Sequence, residues 1–420
     1  MAACIAGAAP APAVLETLYR ETAGNPLFLC EVVQSLCQDG RDLTDGREIA
    51  GRWPIPEGVR QVIGTRLARV SPAAVQILQA GAVLGDGFAF ELLAPACALE
   101  PAAFLDALDE VVRAGFWREQ NEDYHFAHPL IREVLYDELS VPRRQQLHLR
   151  AAEAIERISA RDPTAHLTAL ALHYRLAGAW ADPEKSIQYA VQAGEAAAAA
   201  FAWEDAVAQW QTALRLLKRH GGGPERRAAL CERLGALMLA SRLDLLQGIG
   251  YLEEALTLWR ALGDENATAR TQVWLGRCYL AHPSEFKDVP RALAFHEAAQ
   301  TVLDRGPEGM DLGYLYLGLT QAASYLLRSD EALGAGLRAL AIGTRLGDAA
   351  LRSEAATRYA NALSRCGRLA EAEAVYEEAW AEADRRELAI ICFTVTENRS
   401  EHAWDLGDPR AARRICSREL

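Results

Sequence analysis

The chain has 420 residues, more than the ~250 to 300 at which one hydrophobic core stops growing, so several domains or a repeat array are expected. Half of its residues are apolar, Ala and Leu dominate, and period-two runs of β-branched or aromatic residues are scarce, which is the material of helices. The formal charge of -13 opposes non-specific adhesion to nucleic acid or anionic lipid, and no stretch reaches the ~18 apolar residues that span a bilayer.

The nine Cys show neither a CxxC nor a zinc spacing and are expected as buried thiols of a reducing cytoplasm. Residues 1 to 15 lack the basic start and apolar stretch of a secretory signal and read as the start of a truncated chain.

The first helix is expected to end at Ala23, before Gly24-Asn25-Pro26. A Gly, a capping Asn and a Pro for the first turn predict a second helix through LFLCEVVQSL, Leu27 to Leu36. A loop rich in Gly, Asp and Pro, Asp39 to Pro56, leads to an amphipathic helix, Val59 to Val70, with Arg60, Arg66 and Arg69 on its polar side. Ser71-Pro72 caps a further helix, Ala73 to Leu84, and Phe90 to Cys97 and Pro101 to Ala114 supply two more.

Phe116-Trp117-Arg118 and Tyr124-His125-Phe126 read as short strands around the turn Gln120 to Asp123. Helices followed by a small hairpin form a winged-helix arrangement. Its third helix sets Asp106, Asp109 and Glu110 against Arg113, a face that phosphate would repel. Arg143, Arg144 and Arg150 lie beyond the unit and are expected to pair with neighbouring acids, so this chain is not expected to read DNA directly.

From about His166 onward, apolar residues recur at i, i+3, i+4 and i+7 in segments separated by short Gly, Asp or Pro breaks. Ala292, Ala332, Ala372 and Ala412 stand forty apart, each four residues before a second packing position: His296, Gly336, Tyr376 and Cys416. Small residues belong where the two helices of a hairpin cross, because only a short side chain lets the axes approach.

At Leu262-Gly263-Asp264 and Leu346-Gly347-Asp348, the Gly can take the left-handed C′ position and the Asp can cap the next helix. Trp180, Trp203, Trp210, Trp259, Trp274, Trp380 and Trp404 are expected in hairpin cores, and His166 and His173 on a helix face rather than on a metal.

The best copy, Tyr359, Ala360, Leu363, Gly367, Ala372, Tyr376 and Ala379, resembles the tetratricopeptide pattern, with a period nearer 40 than 34. The strings TAGNPLFLCEVVQSL, IPEGVRQVIGTRLARVSP and FAHPLIREVLYDELSVPRRQQLHLRAAEAIE resemble the segment that joins ATPase core to repeat array in bacterial STAND regulators, of LuxR or cyclase-associated type. That resemblance implies three parts: residues 1–56 as a remnant of ATPase lid helices and linker, 57–158 as a winged-helix relay, and 159–420 as a tetratricopeptide-like superhelix. It also implies nucleotide contacts in an intact ATPase for Gly24, Asn25, Pro26 and His128. In the family's motif an acidic residue follows the His, where this chain has Pro129. A second reading of His128, as the residue that opens the next helix, stands beside the first.

No GxxxxGK[ST] loop, GxSxG or HExxH occurs, and His296-Glu297 lacks its second His. The chain is therefore expected to be no enzyme and to hold no cofactor of its own, ATP or ADP belonging to the intact family protein. The fold class read from sequence is all-α: a winged-helix-like N-terminal unit followed by an α-solenoid. The expected function is a non-catalytic sensing and interaction module binding a peptide, protein or small effector in the superhelix groove. The alternative is a DNA-binding transcription regulator acting through the winged helix or a missing domain. A charged, open groove would favour a peptide and a closed apolar pocket a small effector; self-association is a further expectation, and a membrane partner is not expected.

Overall fold

The computed structural model describes residues 2, 9–22, 24–38, 43–44, 55–121, 123–281 and 287–419, so Cys4 and nearly all of the expected loop 39–56 fall outside the described residues. Contacts divide the chain into two compact units, Met1–Ala200 and Phe201–Leu420. Twenty-one α-helices and one three-stranded sheet occur among the described residues.

In the first unit, α1 (Pro12–Thr22) and α2 (Pro26–Gln38) flank Gly24, whose φ of +72° is the left-handed conformation that a residue without Cβ adopts freely. Val14, Leu18, Val32, Val33 and Leu36 close a small core between them. The next helices are α3 (Glu57–Leu67) and α4 (Pro72–Leu84). Ser71 caps α4 through Ala74 N–H at 3.1 Å and donates its own N–H and hydroxyl to Glu110.

After α4 come β1 (Gly87–Ala89), α5 (Phe90–Cys97), α6 (Pro101–Arg113), β2 (Trp117–Gln120) and β3 (Asp123–Phe126). The sheet order is β1-β3-β2, antiparallel throughout. The sequence reading missed β1, since three residues are too short to show a period. Gly81 on α4 lets the sheet approach: a Cβ there would stand 2.4 Å from the Trp117 ring.

Next, α7 (Pro129–Asp137) and α8 (Val141–Ile158) pack onto this core, with Leu147 and Ala151 of α8 buried in it. The basic run is thus part of the unit. Arg144 lies over the Tyr136 ring at 5.1 Å, and Arg143 donates to Gln146, in place of the expected acidic partners. The other side of α8, with Ala152 and Ile155, packs on α9 (Leu167–Ala177), followed by α10 (Pro183–Ala199). Because α8 is buried on both sides, the compact unit continues past residue 158 to Ala200.

Inside this packing His148 Nδ1 lies 2.9 Å from His173 Nδ1, and the Tyr136 hydroxyl lies 2.9 Å from His148 Nε2. One proton fits between the two Nδ1 atoms, so the arrangement cannot hold two imidazolium rings at once. Burial, with His173, Arg144, Arg175 and Arg132 adding positive charge, pushes His148 down to about 3; burial pushes His173 down to about 4.

Unfolded histidines titrate near ~6.5, so below that pH the unfolded chain binds more protons than the folded one. Stability is therefore expected to fall between about pH 6.5 and 4, by about 1.4 kcal/mol per pH unit for each ring. Melting curves of the chain and of His148→Phe/His173→Leu across that range test this. An unchanged pH slope in the double variant would reject it.

The second unit opens with α11 (Trp203–His220). Five antiparallel pairs follow: α12 (Pro224–Ser241) with α13 (Leu245–Leu262), α14 (Glu265–Ala281) with α15 (Val289–Leu303), α16 (Met310–Tyr325) with α17 (Ser329–Leu346), α18 (Ala349–Arg365) with α19 (Leu369–Arg385), and α20 (Ala389–Asp405) with α21 (Pro409–Glu419). The first helices of successive pairs also pack on one another, giving an inner layer. The chain is an all-α helical-repeat protein in this region.

The two turn motifs behave as their residues dictate. Gly263 and Gly347 have φ of +73° and +69°, and Asp264 and Asp348 accept Ala267 N–H and Leu351 N–H at 2.9 and 2.7 Å. Ala292, Ala332, Ala372 and Ala412 are all buried on the second helices of their pairs. Where position 336 is Gly, the Tyr359 ring of α18 takes the vacated space.

Two expectations need correction. Trp210 and Trp259 are buried, but Trp180 and Trp404 are 51% and 65% exposed, since each sits at a helix end beyond the pairing surface. Of the cysteines, Cys97, Cys231 and Cys278 are buried, with thiols pushed up to about 12 chiefly by burial, whereas Cys37 is exposed and Cys30, Cys366, Cys392 and Cys416 are half-buried. Among the described residues, no helix is long and apolar enough to cross a membrane.

Candidate binding groove

Residues at helical spacing on the inner helices build a polar stripe. On α18 it runs Glu354, Arg358, Asn361, Arg365; on α20, Thr394, Asn398, His402. Directly beside this stripe on the same helices, Leu351, Ala355 and Ala362 or Val395 are buried in the cores, so one helical pattern sets both surfaces.

Two cavities open along this stripe and share Gln321 and Arg358. In the smaller, about 260 Å³, the Trp274 and Tyr314 rings stand 5.2 Å apart. The Arg277 guanidinium lies 5.0 and 4.5 Å from their centroids and donates to Glu354 at 2.8 Å. Only 14% of the Arg277 side chain is exposed, so stacking and pairing replace most of its water.

In the larger, about 360 Å³, side-chain amides form a chain across three helices. The Tyr376 hydroxyl donates to Asn361 Oδ1, Asn361 Nδ2 donates to Asn398 Oδ1 at 2.8 Å, and Asn398 Nδ2 donates to Thr394 O at 2.7 Å. Burial pushes the Tyr376 hydroxyl well above the ordinary tyrosine range, which keeps it a donor. Ser364 Oγ and His402 Nδ1 are 2.6 Å apart beside it.

At the far side Arg242, just past α12, reaches Glu397 of α20 with contacts of 2.9 and 3.4 Å. The first of the five pairs therefore meets the last across the groove. Sequence reasoning named Trp274 and Tyr376 only as core positions and named none of the other groove residues, although their register was visible: Tyr314, Glu354 and Thr394, then Gln321, Asn361 and Glu401, repeat the forty-residue spacing of the alanines.

The residues singled out for nucleotide contact lie together in the first unit. Asn25 N–H donates to Thr22 O at 2.8 Å, and Asn25 Oδ1 accepts Phe28 N–H at 3.5 Å, opening α2. His128 Nε2 donates to the same Thr22 carbonyl at 2.6 Å, and its ring meets Phe28 edge-on at 4.6 Å. His128 Nδ1 accepts Leu130 N–H at 3.1 Å, capping α7. These two bonds fix one neutral tautomer and occupy both ring nitrogens. Burial holds the imidazole below the ordinary range, against the opposing effects of the Thr22 bond and the Glu133 charge.

No family model and no curated protein matches the chain. Among solved structures it is similar to a signal-transduction ATPase with numerous domains and a tetratricopeptide-repeat sensor from Pyrococcus horikoshii, at 15% identity and a TM-score of 0.48, covering 97% of this chain and 56% of that one. It thus spans little more than half the length of that protein. It is also similar to the apo quorum sensor NprR from B. thuringiensis (13%, TM-score 0.43, 68% of this chain and 92% of that one). A third is aspartyl phosphate phosphatase F from Bacillus subtilis (14%, TM-score 0.45, 86% of each chain). The architecture described above rests on the chain's own helices.

Proposed function

We propose that the chain is a non-catalytic sensing and interaction module whose repeat groove takes an extended peptide. The observation that carries this reading is the amide chain Asn361–Asn398 beside Tyr376, continuous with the Trp274–Arg277–Tyr314 stack. Carboxamides offer a donor and an acceptor at once, as a peptide backbone requires, and flat rings give side chains contact area at low entropic cost. The groove is polar and charged, which favours a peptide over an apolar effector.

In this reading β1, α4 to α6 and the β2–β3 hairpin are a winged-helix relay, with residues 1–56, 57–158 and 159–420 as lid remnant, relay and sensor of a larger nucleotide-driven regulator. The nucleotide contacts of Gly24, Asn25, Pro26 and His128 belong to that intact ATPase. His128 would have to release Thr22 before it met a phosphate, so nucleotide engagement and the α1–α2 turn would be coupled.

Panning a random peptide library on the full chain is expected to enrich peptides that bind in the groove. Asn361→Leu and Tyr314→Glu should each weaken them at least tenfold, about 1.4 kcal/mol, with unchanged helicity. Failure to enrich any peptide, or equal affinity in both variants, would remove the reading.

A further inference from the structure

Three cations converge on the larger cavity: Lys287 ahead of α15, and Arg358 and Arg365 on α18. Lys287 Nζ is 3.0 Å from the Tyr325 hydroxyl and 4.2 Å from its ring centroid, and the Arg365 guanidinium is 5.6 Å from the same centroid. Arg358 makes one long contact, 3.5 Å to Asn398 Oδ1, and its buried Nε meets no acceptor among the described residues.

None of the three is ion-paired among the described residues, whereas neighbouring arginines are: Arg277 with Glu354, Arg352 with Glu382, Arg399 with Glu373. Glu401 is the one carboxylate on the described lining, so three cations and one anion leave an excess of two positive charges, in a chain that carries -13 overall.

Burial alone would raise the Tyr325 hydroxyl. Hydrogen bonds from Lys287 and Gln321, with the charges of Lys287 and Arg358, outweigh it and bring the group below the ordinary tyrosine range. The local field is positive. Lys287 and Arg358 are half-buried, a placement that is costly unless an anion meets them, and a cavity of about 360 Å³ has room for one.

Resting on the groove reading above, we infer that this cavity is an anion subsite that takes a carboxylate carried beside amide groups, as at the C-terminus of a peptide, with Lys287, Arg358 and Arg365 as its cationic partners. The Gln321 and Asn361 amides line the same cavity and would meet the last peptide units.

Tri-alanine, its C-terminal amide, succinate and inorganic phosphate are titrated into the full chain at low ionic strength, read by calorimetry and tyrosine fluorescence. Tri-alanine is expected to bind at least tenfold more tightly than its amide and to weaken with added salt. The preference should vanish in Lys287→Met/Arg358→Gln and drop at least threefold in Arg365→Gln, a change at an exposed position that spares folding. Succinate binding with the same dependence also upholds the carboxylate subsite and assigns the carboxylate to a small organic acid.

Equal binding of acid and amide, binding of phosphate alone, or no binding by any probe overturns it. Peptides enriched on the groove that bind regardless of terminus and of the charge variants would leave the groove reading standing and the anion subsite refuted.

Discussion

Replacing Gly318 by Ala is expected to lower the stability of the repeat unit by about 2 to 3 kcal/mol, the upper range for overpacking a dense core. Gly318 of α16 and Gly276 of α14 form the two sides of a slot that holds the His296 imidazole of α15. A Cβ at Gly318 would stand 2.3 Å from His296 Nε2, and one at Gly276 would stand 2.6 Å from the same ring. His296 has no exposed surface into which to retreat. Burial, with the charge of Arg277, pushes it down to about 4, so the ring is neutral and acts here as a flat packing element.

Urea unfolding followed by circular dichroism measures the loss. Gly318→Ala/His296→Ala should lose less than the sum of the two single changes, because removing the ring relieves the clash. Gly334→Ala, on the exposed face of α17 with no atom within 4 Å of the added methyl, should stabilise by up to about 1 kcal/mol. If Gly318→Ala unfolds at the wild-type urea concentration, the slot is not as tight as described.

Glu232→Ala is expected to cost about 3 kcal/mol. The Glu232 carboxylate on α12, 8% exposed, accepts from Trp259 Nε1 at 3.1 Å and from Arg270 Nε and Nη2 at 2.5 and 3.2 Å, and Thr271 Oγ1 lies 2.9 Å away. Three successive helices, α12, α13 and α14, are thereby tied to one group. Its removal strands a buried indole N–H, worth about 1 to 3 kcal/mol, and an arginine whose pair is lost. The arginine is one-third exposed, so water recovers part of that second cost.

Trp259 fluorescence reports the local unfolding. Glu232→Leu/Arg270→Leu should recover most of the loss, since neither a lone charge nor an unmet carboxylate remains. A double variant no more stable than Glu232→Ala would show that packing, and not the network, holds these helices.

The helical hairpins were legible because their devices are local. Left-handed glycines at 263 and 347, the capping Asp264 and Asp348, and the forty-residue alanine series each act within a few residues of where they are written. The first strand was not legible, since Gly87–Ala89 becomes a strand only by pairing with β3, some 34 to 38 positions on. The role of His128 as helix opener was readable from Pro129, but its bond to Thr22 spans 106 positions and depends on the folded core.

The groove residues were hidden for a different reason. Asn361, Asn398 and Arg358 look like ordinary solvent-facing polar residues in a single helix, and only stacking of successive helices brings them together.

The ion pair between Arg242 and Glu397 joins positions 155 apart, so the five hairpin pairs form a coil hooked to itself rather than an open arc. With both side chains about half exposed, the hook is weak, on the order of 1 kcal/mol or less. A coil fastened so lightly works as a spring with a soft catch. Displacement of the last hairpin would release this contact before it strained the first.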